Sequence, residues 1–483
     1  MSKRKRSDNH KNKINESNNK NIELNQLIEY ESQFNQDAHN QVIQNAISLN
    51  PLSDVCQNRK YMQGYDRNFS NIIDPPLDTT DQAESGRCWI FAVLNVARFE
   101  MITKYELEDD FEFSQSYLSF WDKIEKCNHF LNEIIANRKK EKYLDDYYIK
   151  MLLTSPVSDG GNWSICKNLI KKYGLVPKSV FDESYNSSVT SDVNYYVEGL
   201  LRKFAQQIDK ISDDNECYRL KNNRMSIIYD TLSKLFGSPK LPDNPFLWSY
   251  CIDEEKDLLA KIKKQKKFKS QDKYENLQLK KSVETTPLEY YHNRVPFNCD
   301  NFIQLTNDPR NPYYKCYGCE KPNCVAGGDE LLYINLPIEL LIEYTKNSIL
   351  DNYPVVVMCD VEKHLNINDG LLDTKCFDHK SVFKETFEDM NKSDRIKYRQ
   401  SSATHAMTFT GVDIDSTTNI VKWKVDNSWG EPADNFIMTN DWFKEYVFEV
   451  IINKKYIDQN ILDIYANESS KPTLLPFDDP MVS

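Results

Sequence analysis

Apolar residues three and four apart dominate the first half of the chain and give way to period-two alternation in the second. From about residue 26 to 250 the pattern is mostly helical, most plainly in FSQSYLSFWDKIEKCNHFLNEIIANRKK (113–140), where Ser114 is placed as the cap. From about 330, alternation and short apolar runs (LLYINLPI, YPVVVMCDV, HAMTFTGVD, NIVKWKVDN) predict a β-rich half. One helix-length segment stands apart. WIFAVLNVARFEMI, directly after Cys88, is apolar almost all round for its first two turns, as expected of a helix buried in the middle of a domain. The fold class is α+β, a helical half followed by a β-rich half with large insertions.

Three segments break these patterns. Residues 1–25 are rich in Lys, Asn and Ser and too poor in apolar side chains to offset the entropy of ordering, which predicts a disordered basic tail. Its KRKR at 3–6 reads either as a nuclear import signal or as a solvating run. A strongly basic stretch within 258–285 (AKIKKQKKFKSQDKYENLQLKK) reads as an exposed insertion, with a nucleic-acid patch as the alternative. This leaves a helical half at 26–257, a β-rich half at 286–470 and an extended arm at 471–483 punctuated by Pro472, Pro476 and Pro480.

Composition narrows the function classes. In 483 residues, 40% apolar content supplies enough burial to fold without staples. A net charge of −12 argues against nucleic acid as the main partner, because neutralising phosphates needs a surplus of Lys and Arg. With no apolar run of about 18 residues and no apolar core near the N-terminus, the expectation is a cytoplasmic protein without membrane association. Twelve irregularly spaced cysteines then read as reduced thiols. Of these, Cys299, Cys316, Cys319 and Cys324 form either a structural zinc site or unpaired loop thiols. The chemistry below needs no cofactor.

Gly86 and Arg87 make a tight turn that places Cys88 in the first turn of the apolar helix. There unpaired backbone N–H groups and the positive end of the macrodipole favour a thiolate. A buried structural cysteine would sit equally well at that position unless a base lies nearby. Of seven histidines, six fall in the tail, in helical contexts or in loops. His405 instead opens the period-two segment THAMTFTGVD, sharing a face with Met407 and Phe409. In the next strand Trp423, Val425 and Asn427 share a face. Folding the two about Ser416 pairs Phe409 with Trp423, Met407 with Val425, and His405 with Asn427, so that the amide orients the ring. Asp426 points the other way by alternation. Trp429 either shields that hydrogen bond or packs in the core. Gln82, six residues before the thiol in a loop, is either solvent-facing or the second donor, with the Cys88 N–H, of an oxyanion site.

Gln-x5-Cys-Trp, an apolar strand carrying His, and Asn-Ser-Trp-Gly together resemble the papain-like cysteine peptidases. SGRCWIFAVLNVAR, THAMTFTGV and WKVDNSWGE look like the bleomycin hydrolase branch, the intracellular thiol aminopeptidases. FEFSQSYLSFWDKIEKC, DGGNWSICKNLIKKYGLVPKSVF, TPLEYY, LTNDPR, CDVEKH and LPFDDPM extend the likeness from about residue 26 to the C-terminus. Ser85 and Arg87 depart from the secreted papains, and insertions separate Cys88 from His405. The resemblance implies Cys88 as nucleophile, His405 as acid and base, Asn427 as orienter and Gln82 as oxyanion donor. It further implies a homohexamer and a C-terminal arm in the substrate cleft, its terminal carboxylate, here Ser483, holding the free α-amine of a peptide or small amide. Hydrolysis of bleomycin-like drugs and of activated homocysteine esters is implied as well. The ending DPMVS lacks the small-residue extension usual in the branch, so either the short arm still anchors the α-amine or the cleft is open to longer or N-blocked peptides.

Overall fold

The structure, a computed structural model, describes residues 21–252, 279–321 and 323–482. The KRKR run, most of the basic stretch and Ser483 lie outside the described residues. Residues 21–59 and 377–386 form one compact unit, and residues 60–376 with 387–482 form another. The first contains the helices Leu24–Gln36, Ala38–Ile47, Leu52–Cys56 and His379–Phe383. Asp37 caps the second of these by accepting the His39 N–H at 3.0 Å and is ion-paired with Lys384.

The second unit is built around the helix Cys88–Tyr105, whose side chains from Trp89 to Phe99 are all buried. Its apolar circumference has matching surroundings on every side. The helix Gln115–Asn137, capped by Ser114 through the Tyr117 N–H at 3.0 Å, packs beside it. Helices Trp163–Tyr173, Ser191–Asp209 and Asp214–Phe236 complete a core that includes Val93, Leu118, Phe120, Leu169, Leu201 and Ile228.

The strands are β1 (Asn71–Ile72), β2 (Phe246–Ile252), β3 (Leu279–Thr285), β4 (Phe302–Thr306), β5 (Lys315–Cys319), β6 (Tyr333–Asn335) and β7 (Val355–Cys359). They continue as β8 (Leu365–Asn366), β9 (Leu371–Leu372), β10 (His405–Ile414), β11 (Ile420–Asp426), β12 (Asn435–Thr439), β13 (Val447–Asn453) and β14 (Thr473–Leu475). β2 and β3 form a separate antiparallel pair, with Trp248 edge-on to Tyr290 at 4.9 Å. The C-terminal end of the basic stretch is therefore strand, while the residues between lie outside the description. The other strands form one mixed sheet in the order β14-β5-β6-β4-β13-β7-β10-β11-β12-β9-β8, with β1 on β10.

β7 and β13 are covered on both faces, which explains why VVVMC and VFEVII are nearly unbroken apolar runs instead of alternating ones. The Cys88 helix lies on one face of the sheet, where Thr408 Oγ1 donates to the Ala92 carbonyl at 3.3 Å. On the other face Phe409, Trp423, Phe443 and Val450 belong to a second core.

The expected hairpin forms, but its register is corrected by two residues at the His405 end. Phe409 pairs with Val425 and Thr408 with Asp426, while Trp423 pairs with Val412. An irregularity between Phe409 and Gly411 inserts Thr410, whose hydroxyl donates to Asp426 at 2.7 Å. Gly411 is required there because a Cβ would stand 2.9 Å from the Asn71 carbonyl of β1. Phe409 and Trp423 keep their contact diagonally, with ring centroids 5.2 Å apart. The apolar faces were legible, but the bulge that shifts them was not.

Candidate active site

The thiol enters its helix through a loop laced to a distant segment. Gln82 donates its Nε2–H to the Ser85 carbonyl at 2.5 Å, and Ser85 Oγ returns a bond to the Gln82 carbonyl at 2.6 Å. The buried Arg87 guanidinium donates to Ser85 Oγ and forms an ion pair with Glu183 at 2.9 Å. From the β-rich side, Ser428 Oγ donates to Gln82 Oε1 at 2.7 Å, and the Gln82 N–H donates to the Ser428 carbonyl at 2.8 Å. Gln82 is thus buried and held, not turned to solvent. Gly430, at φ +67, brings this strap against Asp81, whose carboxylate a Cβ would meet at 2.8 Å.

His405 is brought to Asn427 although they are not cross-strand partners. β11 ends at Asp426, and the Asn427 N–H donates to the Asp434 carbonyl at 2.7 Å, turning the chain. Asn427 Nδ2 donates to the Ala433 carbonyl at 2.7 Å, so its Oδ1 faces His405 Nε2 at 2.6 Å. An acceptor at that distance fixes the ring proton on Nε2 and leaves Nδ1 as the basic nitrogen of the neutral ring. Trp429 covers the pair, its ring centroid 4.7 Å from that of His405. Asp426 is occupied by Lys424 and Thr410, away from the imidazole.

Burial drives thiol and imidazole alike toward their neutral forms. It raises the Cys88 thiol above its ordinary value, against the N–H groups of Ala406, Trp89 and Cys88, which favour the thiolate. It lowers His405 to about 4, against the bond to Asn427. A charge on either group is therefore costly unless the other carries the opposite one.

Gln82, Cys88, Trp89, His405 and Trp429 all line one cleft of about 670 Å³. Trp89 is held by its Nε1–H bond to the Asp159 carbonyl at 2.8 Å and closely covers Gly161, where a Cβ would meet its ring at 2.5 Å. The C-terminal arm adds Phe477, Pro480, Met481 and Val482 to the lining. β14 ties the arm to β5 in parallel, Asp479 pairs with Arg310 at 2.7 Å, and Phe477 packs edge-on to Tyr148 at 4.9 Å.

Sequence reasoning missed Ser428, Ser85 and the cleft-lining pair Gln304 and Glu449. Ser428 had a signal in its place between Asn427 and Trp429, whereas Glu449 sits inside an apolar strand. The four cysteines weighed as a zinc site do not meet as one: Cys299 lies in the first core, Cys316 in the second, and Cys319 and Cys324 line the cleft. Among the described residues no three His, Cys, Asp or Glu side chains are grouped to share a metal, and no helix is long and apolar enough to cross a membrane.

The model of the Peptidase C1-like family matches residues 21–482. Bleomycin hydrolase of Gallus gallus is 35% identical over 452 residues, covering 91% of this chain and 93% of the relative. That of Homo sapiens is 35% identical, with 93% and 95% covered. Cysteine proteinase 1, mitochondrial, of Saccharomyces cerevisiae is 27% identical, with 95% and 92% covered. The crystal structure of PepW from Lactobacillus rhamnosis superposes with a TM-score of 0.86 at 30% identity, over 96% of this chain and 99% of that one. Because these likenesses run along nearly the whole chain and not only around Cys88, the chain belongs to the Peptidase C1-like family, among the bleomycin hydrolase homologues, and is a papain-like cysteine peptidase.

Proposed function

We propose that the protein is an aminopeptidase that cleaves peptide and small amide bonds through a Cys88–His405–Asn427 triad and an acyl-enzyme. The observation that carries this reading is the fixed ring of His405. Its Nε2–H is committed to Asn427 at 2.6 Å, and Nδ1 is left basic in the cleft that Cys88 lines. Proton transfer from the thiol to Nδ1 creates two charges at once, each lowering the cost of the other in surroundings that disfavour either alone.

The thiolate attacks the scissile carbonyl carbon and forms the C–S bond. The developing oxyanion takes the Cys88 N–H, aligned by the helix start, and the Gln82 Nε2 hydrogen not used by the Ser85 carbonyl. The imidazolium protonates the amine as the C–N bond breaks. His405 then takes a proton from water, hydroxide adds to the thioester carbonyl, and the C–S bond breaks to return the thiol. Asn427 holds the ring through both halves, under the cover of Trp429. No step needs a metal or cofactor.

Phe477, Pro480, Met481 and Val482 of the arm line the cleft, which supports restriction to chain ends; the proposal gives the α-amine contact to the carboxylate of Ser483, as the resemblance implies. A homohexamer is part of the same proposal, and light scattering tests it by reading the mass directly. The deciding experiment compares free-amine and N-acetylated aminoacyl and peptidyl fluorogenic amides under reducing conditions, with Cys88→Ala as the blank. Turnover confined to free-amine substrates, lost in Cys88→Ala, is the expected result. Equal cleavage of blocked peptides overturns the aminopeptidase assignment, and turnover surviving Cys88→Ala overturns the triad.

A further inference from the structure

Lys126 is buried in the wall of the cleft, and all three of its ammonium hydrogens are committed. Its Nζ donates to Asp122 Oδ2 at 2.7 Å, to the Ser158 carbonyl at 2.8 Å and to the Gly160 carbonyl at 2.6 Å. Asp122 stands one turn earlier on the helix Gln115–Asn137 and is 2% exposed; among the described residues its Oδ1 has no hydrogen-bond partner. Desolvation offsets the attraction within such a pair, so it adds little stability that two apolar side chains of similar volume would not. What it does supply is an ammonium fixed in direction. The two carbonyls that this ammonium holds belong to the loop 158–161, of which Ser158, Gly160 and Gly161 line the cleft together with Cys88.

The same loop touches the residues on both sides of the nucleophile. Gly86, two positions before Cys88, is pressed against it, since a Cβ there would stand 2.9 Å from the Asp159 Cβ. Trp89, one position after, bonds the Asp159 carbonyl, covers Gly161 and has its ring centroid 5.6 Å from the Lys126 ammonium. Asp159 is gripped from behind: it is paired with the buried Lys123 and accepts from Thr190 Oγ1 at 2.6 Å and Asn194 Nδ2 at 3.1 Å. Gly160 lacks such confinement. Among the described residues, its chain neighbours aside, no heavy atom lies within 4 Å of where its Cβ would stand. There the loop borders open cleft, and the bond from Lys126 does the holding. Building on the peptidase reading above, we propose that Lys126, with Asp122 as its counter-charge, is a positioning residue that sets the 158–161 wall relative to Cys88 and so keeps the scissile carbonyl in line with the thiolate. Its ammonium takes no part in bond making and acts through the loop. A displacement of about 1 Å in such a wall is enough to cost about 10²-fold in rate.

The test uses the full chain with two readouts: turnover of a free-amine aminoacyl fluorogenic amide, and alkylation of Cys88 by iodoacetamide, which reports the thiol pair without using the loop. Lys126→Met combined with Asp122→Asn removes both charges, so that neither is left buried alone. In this double variant kcat/KM is expected to fall at least about tenfold, while the alkylation rate at neutral pH stays within about threefold of wild type. Lys126→Arg keeps the cation and its donors and should retain at least about a third of the wild-type kcat/KM. Wild-type turnover in the double variant overturns the proposal. Parallel losses of turnover and alkylation overturn it as well, because they assign Lys126 to the integrity of the whole site. A Lys126→Arg enzyme as impaired as the double variant also overturns it. If the double variant does not fold, as judged by its melting curve, Lys126→Gln, with two N–H groups for three acceptors, is measured in its place and read by the same criteria. If the wild type cleaves no such amide, the peptidase reading itself falls and this proposal with it, whereas wild-type turnover that the variants leave intact overturns the proposal alone.

Discussion

The strap between Gln82 and Ser428 makes a quantitative prediction about the oxyanion site. Gln82 spends one Nε2 hydrogen on the Ser85 carbonyl, and the other is the proposed oxyanion donor. Gln82→Ala removes that donor and should lower kcat by about 10²–10³, or about 2.7–4 kcal/mol, with a smaller change in KM, because the bond forms only as charge develops. Ser428→Ala leaves the donor in place but strips Gln82 Oε1 of its 2.7 Å bond, a buried acceptor whose loss costs about 1–3 kcal/mol. The Gln82 N–H bond to the Ser428 carbonyl remains, so the amide is loosened and not lost. About tenfold in kcat is expected. In the double variant, Ser428→Ala should add less than about threefold to the effect of Gln82→Ala, because the group it positions has gone, leaving a coupling of about 1 kcal/mol. Steady-state kinetics of the four proteins on one free-amine amide measure this cycle. Two independent, multiplying losses would refute the positioning argument, and a Gln82→Ala enzyme within about threefold of wild-type kcat would refute the oxyanion assignment.

Other expectations follow from the same geometry. Burial raises the Cys88 thiol, so His405→Ala should lower its alkylation by iodoacetamide at pH 6–7 by at least about tenfold and move the reactive limb above pH 9; an unchanged profile would remove His405 from thiolate formation. Gly430→Ala forces a Cβ against the Asp81 carboxylate at a positive φ and should cost about 1–3 kcal/mol in denaturant midpoint together with a loss of kcat, whereas a neutral result would show that the strap tolerates displacement. Truncation after Leu475 removes Phe477, Met481 and the Arg310–Asp479 pair; the cleavage ratio of N-acetylated to free-amine peptides should rise at least about tenfold, and a constant ratio would separate the arm from selection of chain ends. Glu449 is raised in the folded state from 4.5 to about 7, so the folded protein binds more protons than the unfolded one between those values, and stability falls as pH rises through that window. Glu449→Gln should flatten that slope and gain about 1–3 kcal/mol at pH 8 by chemical denaturation, an equal slope in both proteins being the contrary result.

Much of this site could be read from residue order. Cys88 at the start of an apolar helix and His405 at the head of an alternating strand are local patterns, and Ser114 was identifiable as a cap from its place before an amphipathic run. The hairpin register was not, because it depends on Thr410 standing out of the ladder where β1 approaches Gly411, a contact between residues more than 300 positions apart. The His405–Asn427 bond survives the wrong register because Asn427 leaves the strand and is placed by Asp434 and Ala433, which no strand alternation describes. Gln82 could be proposed but not placed, since its burial depends on Ser428. Glu449 gave no signal at all: an acidic residue in a strand interior reads as a surface position until β7 and β4 are seen on either side of it.

The bond from Ser428 to Gln82 spans 346 positions of sequence. At ribosomal rates of roughly 5–20 residues per second, the thiol is made about 20–70 s before Ser428, and the arm follows later still. A nascent chain that ends before Ser428 therefore presents Cys88 without the side chain that holds Gln82 Oε1. With His405 and Asn427 also in the C-terminal part of the sequence, the proposed triad cannot assemble on a nascent chain until that part has been made.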